Sequence, residues 1–409
     1  MGGTEVRKGM SVAFIGGPLP LSEISSSDGF SMAGYLATSS MLKGLTTVGA
    51  NISLIASYFP VPAWPKTRLL IAHGGYETLE NGLPVTRLGF PNVTPLKQIW
   101  LGLAAAAVLM RWGFVHRRDS KRVVLCYNMS VPPGYLVWIA ARIAHSQMVA
   151  IAYDIDLPGV TVPNSVWRRL DFVQTKALMP HLDGIIGVTE WIGRDFAPRV
   201  PSICVPVGIS DSLAGRFSAD KEEAHSGPRK VVFAGSLTVA NGVGLLLDTL
   251  TLAPDIDVQL ELIGDGPLLA RARSMSEWDA RVSVRGRLPY EAVLSAYATA
   301  DAVVCIRLQE TLKTPYLFPS KLVEAMAVGV PLICAVPYNA PKEVQSALRR
   351  LAIVVDSEEP ESVAVALRVL TSGGIAEANR KARMLRVWAI KNLSWHTQCQ
   401  RILEFIERL

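Results

Sequence analysis

Tyr316-Leu-Phe-Pro-Ser-Lys-Leu-Val-Glu324-Ala-Met-Ala-Val-Gly-Val-Pro331, continued by Leu332-Ile-Cys-Ala335, reads as a loop, a helix and a buried strand. Pro319 suits the first helical turn, because its missing N–H would have no partner there. Gly329 is a helix stop, and Pro331 keeps the helix from continuing. The first turn, Ser320 to Leu322, offers backbone N–H groups and a positive dipole end to an anion. Lys321 adds a full charge near that end. Glu324 follows Ser320 by four residues, so both lie on one helix face. A carboxylate there can accept from two neighbouring hydroxyls, such as those of a ribose. Phosphate at the helix tip and ribose one turn along describe a nucleotide site. Taken alone, the segment is equally an ordinary helix, since the macrodipole favours glutamate in the first half of any helix. The rest of the chain decides between the two.

At 409 residues the chain has room for two domains, each with its own core. Half of it is hydrophobic, yet no uninterrupted run of 18 apolar residues occurs, so no membrane-spanning helix is expected. The apolar run Ser11–Ile15 is too short for a signal peptide and meets Gly16-Gly17-Pro18 at once, which implies a cytosolic protein. The five cysteines are scattered without C-x-x-C spacing, as buried thiols in a reducing compartment would be. Lys and Arg outnumber Asp and Glu by 18 to 12 in residues 1–207 and match them at 23 to 23 in 208–409, so the net +6 belongs to the first half. Much of it clusters at Arg111, Arg117, Arg118, Lys121 and Arg122. Just before lie Trp100–Met110, Trp112 and Phe114, the mixture of apolar, interfacial and basic residues that rests on an anionic membrane leaflet. A packed helix followed by a solvated basic turn accounts for the pattern equally well. Nucleic acid is not expected as a partner, because neither an aromatic base-stacking set nor a helix-turn-helix accompanies the cluster.

Strand and helix patterns alternate along the chain. Val12–Ile15, a glycine-bearing loop and a helix from Phe30 to Val48 form the opening unit of a doubly wound fold. Strands follow at Ile52–Ala56, Leu69–Ala72, Val85–Leu88, Val123–Asn128 and Met148–Ala152. The last runs into Tyr153-Asp154-Ile-Asp156, carboxylates placed where open α/β sheets bind ligands. The polar stretch 208–229 is the domain boundary, after which the alternation restarts at Lys230-Val-Val-Phe-Ala-Gly-Ser. The fold class is therefore α/β, two Rossmann-like domains facing across a cleft, 1–207 and 208–385, with residues 386–409 as a separate tail that the family resemblance below implies to be a closing helix.

The second half resembles the donor domain of the family 4 glycosyltransferases, retaining enzymes of GT-B fold that use nucleotide sugars. The resemblance lies in Phe233-Ala-Gly-Ser-Leu, Leu262-Ile-Gly-Asp-Gly-Pro, Val284-Arg-Gly-Arg-Leu-Pro, Phe318-Pro-Ser-Lys-Leu-Val-Glu-Ala-Met-Ala-Val-Gly-Val-Pro and Asn392-Leu-Ser-Trp395, five motifs in the family's order. In the first half only Gly16-Gly17, Tyr153-Asp154 and Ile185–Glu190 match. The resemblance implies that Glu324 holds the ribose, that Ser320, Lys321 and Leu322 meet the diphosphate, that the backbone from Arg285 past Arg287 to Leu288 reads the base, and that Gly17 lies against the phosphates from the opposite domain. Gly264, Phe318 and Tyr316 join this donor set. Three positions depart from the family pattern. Tyr316 stands where its first paired carboxylate would be, Ser236 and Asn241 replace its cationic clamp, and Tyr153 replaces a sugar-contacting histidine. Lys321, Lys313 or Arg307 are left to supply the missing charge.

The activity so implied is transfer with retention from a nucleotide-diphosphate sugar, with Asp154, Lys321 and Glu324 as the catalytic set. The leaving diphosphate takes the acceptor's proton, and neither metal nor another cofactor is required. A membrane-resting first domain makes a lipid-linked or oligosaccharide acceptor the natural partner. That places the protein peripherally on the cytosolic membrane face, in cell-surface polysaccharide assembly. The alternative is a GT-B protein that binds a nucleotide sugar, or scaffolds, without turnover. A third possibility, an epimerase, needs cleft carboxylates and histidines that the sequence does not reveal.

Overall fold

A computed structural model of the chain describes residues 9–24, 31–128, 133–217, 227–308 and 314–409. Packing divides it into two units: Met1–Gly208 together with Trp395–Leu409, and Ile209–Ser394. The first boundary falls one residue beyond the expected 207. The second falls at Trp395 and not at 386, because two helices meet there. Ile375–Leu393 belongs to the second unit, and Trp395–Arg408 returns to the first.

The first unit is built on an eight-stranded sheet in the spatial order Ser202–Cys204, Gly184–Gly187, Gln147–Ala152, Lys121–Tyr127, Met10–Ile15, Ile52–Tyr58, Pro84–Leu88, Gly75–Thr78. All neighbours are parallel except the last pair. Val12, Phe14, Val123, Leu125, Met148 and Ile151 are fully buried. Unbroken apolar runs are what a parallel strand covered by helices on both faces requires. Two local expectations change. Leu69–Ala72 shrinks to Ile71–Ala72, which pairs antiparallel with Phe90–Pro91 outside the main sheet. Gly75–Thr78, polar and short, is a strand the pattern did not reveal.

In the second unit six strands, all parallel, run in the order Val282–Gly286, Val258–Ile263, Arg229–Ala234, Ala302–Cys305, Leu332–Cys334, Ile353–Val354. Numbered along the chain this is 3-2-1-4-5-6, the Rossmann order, whose reversal between strands one and four opens a crevice at their carboxyl ends. The first sheet has the same reversal between Met10–Ile15 and Lys121–Tyr127. Phe233, Leu246, Leu262, Val304 and Leu367 join in one core on the second sheet.

Helix Leu96–Val115 corrects the reading of the apolar stretch. Its 20 residues are long and apolar enough to cross a membrane by length and composition. Lys97, Gln98 and Arg111 interrupt the run and hide it from a strict count. One flank is packed: Leu101, Ala105, Leu109 and Trp112 are buried, and Trp112 Nε1 donates to Ser53 Oγ at 2.8 Å. A Cβ on Gly113 would stand 2.5 Å from that of Ala144, so the helix lies hard against Pro133–Ile143. The basic cluster splits. Lys121 Nζ donates to the Glu407 carbonyl at 3.0 Å and Arg122 Nη1 to that of Gly113 at 3.3 Å. Arg111, Arg117 and Arg118 remain exposed, with the Arg117 guanidinium 4.4 Å from the Phe114 ring centre.

Candidate functional site

The carboxyl ends of the second sheet gather most of the expected donor residues. Helix Ser320–Val328 begins after Pro319, which caps it with φ −75° and ψ 100° and does not form its first turn. Gly329 ends it in the left-handed conformation, φ 84°. Leu322 is buried, and its N–H already donates to the Pro319 carbonyl at 3.1 Å, so it has neither side chain nor amide left for a ligand. Phe318 is likewise buried. Lys321 Nζ bonds Glu324 Oε2 at 2.8 Å and stands 5.5 Å from the Tyr290 ring centre. Among the described residues Glu324 Oε1 is unengaged. Burial raises the Glu324 pKa, against the pull of Lys321.

Two tyrosines complete this corner, and sequence reasoning missed both. The hydroxyls of Tyr290 and Tyr297 are held well above their usual pKa, by burial first and then by the Glu324 charge. Burial also pushes the Cys305 thiol up to about 12, with Arg307, Glu324 and Lys321 all close enough to act on it. Arg307 lies two residues past Cys305 on the same strand end, and burial lowers its pKa. Lys313 lies outside the described residues. Tyr316 belongs to the loop ahead of the helix, its N–H donating to Thr314 Oγ1 at 3.3 Å. That loop is pinned by buried Asn339, whose Nδ2 donates to the carbonyls of Pro315 at 2.9 Å and Leu317 at 2.7 Å.

Other donor candidates play different parts. Asn241 does not stand in for a cationic clamp: its Nδ2 donates to the Ser236 carbonyl at 2.9 Å and closes its own turn. Only the Ser236 side chain stays exposed. Gly264, φ 144°, is required by packing, because a Cβ there would collide with the Gly235 carbonyl oxygen. Its N–H donates to the Gly286 carbonyl at 2.8 Å, locking the ends of three strands together. The Arg285 side chain turns to buried Glu261 at 3.1 Å, and Arg287 to Asp265 at 3.2 Å.

In the first unit, Gly16 and Gly17 both donate to the Ala56 carbonyl, at 2.9 and 3.3 Å, so the Gly17 amide is not free for phosphate. Asp154 follows strand Gln147–Ala152. Asn128, in the left-handed conformation at φ 41°, accepts on Oδ1 from the amides of Tyr153 and Asp154 at 2.8 and 3.1 Å. Its Nδ2 donates to Asp154 Oδ2 at 3.0 Å. Asp154 is open to solvent yet ringed by protein, which raises its pKa. Asn128 opposes the rise and Asp156 adds to it. Asn128, Asp154, Asp156, Asp171 and Thr175 line a cavity of about 220 Å³ floored by Ala150 and Ala152. Tyr153 is corrected: it is buried, stacked on Trp395 with ring centres 6.5 Å apart and planes 18° apart. Its hydroxyl has no partner among the described residues, so it is a packing residue and does not reach a sugar.

Residues 228–372 match the family model described as glycosyl transferases group 1. No curated protein matches the sequence. Among solved structures, a glycosyltransferase from Rickettsia africae superposes with TM-score 0.66 at 11% identity, over 98% of both chains. The catalytic domain of starch synthase IV from Arabidopsis thaliana, bound to ADP and acarbose, gives 0.64 at 14% over 98% of this chain and 99% of that one. An apo lipopolysaccharide outer core galactosyltransferase gives 0.58 at 14% over 98% and 100%. At these identities the likeness is one of fold. The chain has the GT-B fold over nearly its whole length and a match to the group 1 glycosyl transferases in its second unit, which together support a glycosyltransferase.

Proposed function

We propose that the protein transfers a sugar, with retention, from a nucleotide-diphosphate sugar to a lipid-linked or oligosaccharide acceptor. The observation that carries this is the Lys321–Glu324 pair at the carboxyl end of a Rossmann sheet, inside the matched segment. The starch synthase neighbour is bound to ADP, which supports a nucleotide-diphosphate sugar as the donor. Glu324 Oε1 is placed to accept from a ribose hydroxyl. Lys321 and Arg307 stabilise the negative charge that grows on the diphosphate as its bond to the sugar's anomeric carbon breaks. The acceptor oxygen bonds that carbon on the same face, and its proton passes to the departing diphosphate. No metal or other cofactor enters this scheme. Asp154, held by Asn128 at the wall of a polar cavity, orients the acceptor hydroxyl. The lipopolysaccharide galactosyltransferase neighbour supports a surface-polysaccharide role. Exposed Arg111, Arg117 and Arg118 beside an apolar helix fit a peripheral site on the cytosolic membrane face.

Binding without turnover is the second reading. Asn241, folded back onto Ser236, and Tyr316 in place of a carboxylate favour it. One experiment begins to separate the readings. Thermal stability is measured with UDP, GDP, ADP and TDP, for wild type and Glu324→Ala. One diphosphate at ~100 times its dissociation constant should stabilise wild type by about 2.7 kcal/mol and the variant far less. Its sugars are then tested for transfer, and stabilisation without transfer selects the second reading. No response to any diphosphate would overturn both nucleotide-binding readings and favour the scaffolding alternative.

A further inference from the structure

Helix Val166–Leu178 of the first unit is amphipathic with its apolar stripe outward. Val166 is 70% exposed, Trp167 60%, Leu170 45% and Val173 60%. Positions 166, 170 and 173 repeat at helical spacing along one side. The opposite side carries Asp171, Phe172 and Thr175, which line the Asp154 cavity, and buried Leu178. Ser165 Oγ caps the helix by accepting from the Arg168 amide at 3.3 Å. Helix Pro133–Ile143 touches this helix and Leu96–Val115 alike, and it too is apolar outside, at Ile139 and Ile143. Leu96–Val115 adds Trp100, Leu103 and Phe114. Scattered exposed apolar residues are ordinary, but a group spread over three touching helices marks a contact surface.

Charge identifies the occupant. Exposed Arg111, Arg142, Arg168, Arg169 and Lys176 lie on these helices, of which Arg142 pairs with Asp183 and Arg168 with Asp156. Their one acidic residue, Asp171, belongs to the cavity. An apolar stripe with an exposed tryptophan a quarter turn beside it, and a basic excess that Asp156 and Asp183 offset only in part, matches an anionic lipid surface. A protein partner or a second copy of this chain, with 19% charged residues of both signs, would be met by mixed charge.

We propose that Val166–Leu178 is an interfacial helix. Its outer stripe enters the headgroup region of an anionic bilayer while its inner face walls the Asp154 cavity. Membrane contact and acceptor cavity are then two sides of one element, and an acceptor held in the leaflet has a short path to Asp154. The proposal deepens the lipid-linked reading and rests on it for the acceptor. It names a contact element distinct from the Arg117 cluster.

The test is co-sedimentation of the full chain with vesicles of phosphatidylcholine containing phosphatidylglycerol, and of phosphatidylcholine alone. Wild type should bind the anionic vesicles and bind the neutral ones weakly. Trp167→Ser with Leu170→Ser should weaken anionic binding by about tenfold or more, a loss of about 1.4 kcal/mol or more. Leu103→Ser, on the outer helix, should weaken it less. The melting transition and any nucleotide-diphosphate shift should stay as in wild type, so a failure of the donor reading shows in that shift and not in sedimentation. Should the double variant melt early, Val173→Ser takes its place. Absence of wild-type binding, or equal binding by the helix variants, overturns the proposal. So does a dimer, seen without lipid and lost in the variants, because a second copy would then cover the stripe.

Discussion

Glu324 shows how burial and charge compete at one side chain. Its carboxyl is raised by burial although Lys321 stands 2.8 Å away. Between the ordinary carboxylate pKa and the raised one, the folded chain keeps a proton that the unfolded chain has released. Stability therefore falls as pH rises through that window. Glu324→Gln has no such proton. Its melting temperature relative to wild type should climb as pH rises above the ordinary carboxylate range and level off once Glu324 has ionised in the folded chain. Carboxylates common to both chains cancel in that difference. A flat difference would mean that Lys321 neutralises the burial cost completely. Part of this site was legible in the sequence, because spacing alone puts Ser320, Lys321 and Glu324 at one helix start. Tyr290 and Tyr297 were not, since only tertiary packing brings helix Tyr290–Thr299 beside that start. Nor could spacing show that Asn241 and the Gly17 amide are consumed by their own turns.

At the scale of elements, the helix at the donor corner depends on a loop with little structure of its own. Asn339 Nδ2 holds two of its carbonyls, and the asparagine is buried. Asn339→Ala leaves both without that donor and should cost about 2 kcal/mol of stability in chemical denaturation. The nucleotide-diphosphate shift should shrink as well, because the Lys321 end of the helix loses its fixed approach. Asn339→Asp, an acceptor without a donor at neutral pH, should rescue neither. A full shift in Asn339→Ala would separate the loop from the site. Strands Arg229–Ala234 and Val258–Ile263 of this sheet were readable because each ends in a buried run closed by glycine. Gly75–Thr78 was not, being four residues long, polar and partly exposed. The loop's anchor was invisible because Asn339 lies more than twenty residues from the carbonyls it holds.

At the scale of the whole chain, the sequence motif Asn392-Leu-Ser-Trp395 marks where one unit's chain passes to the other. Its physical content lies in the tryptophan. Trp395 is buried, stacked on Tyr153, and so close to Gly208 that a Cβ there would stand 2.6 Å from the indole. The helix it opens, Trp395–Arg408, packs on Met32–Thr47, where Cys399 Sγ donates to the Met41 carbonyl at 3.3 Å. The first unit is thus closed by residues that follow the whole second unit in the chain. The second unit, Ile209–Ser394, is continuous and keeps its own core. Trp395→Ala should therefore cost the first unit about 3–5 kcal/mol, the usual loss for a buried large aromatic. Limited proteolysis should then cut the first unit early and leave a resistant fragment near 209–394. That fragment should still respond to the diphosphate that stabilises wild type, because Lys321, Glu324, Tyr290 and Asn339 all lie within it. If both units were digested together, the division at Ser394 would not be a division in stability. If the fragment survived but lost its response, the nucleotide site would need residues from outside the second unit.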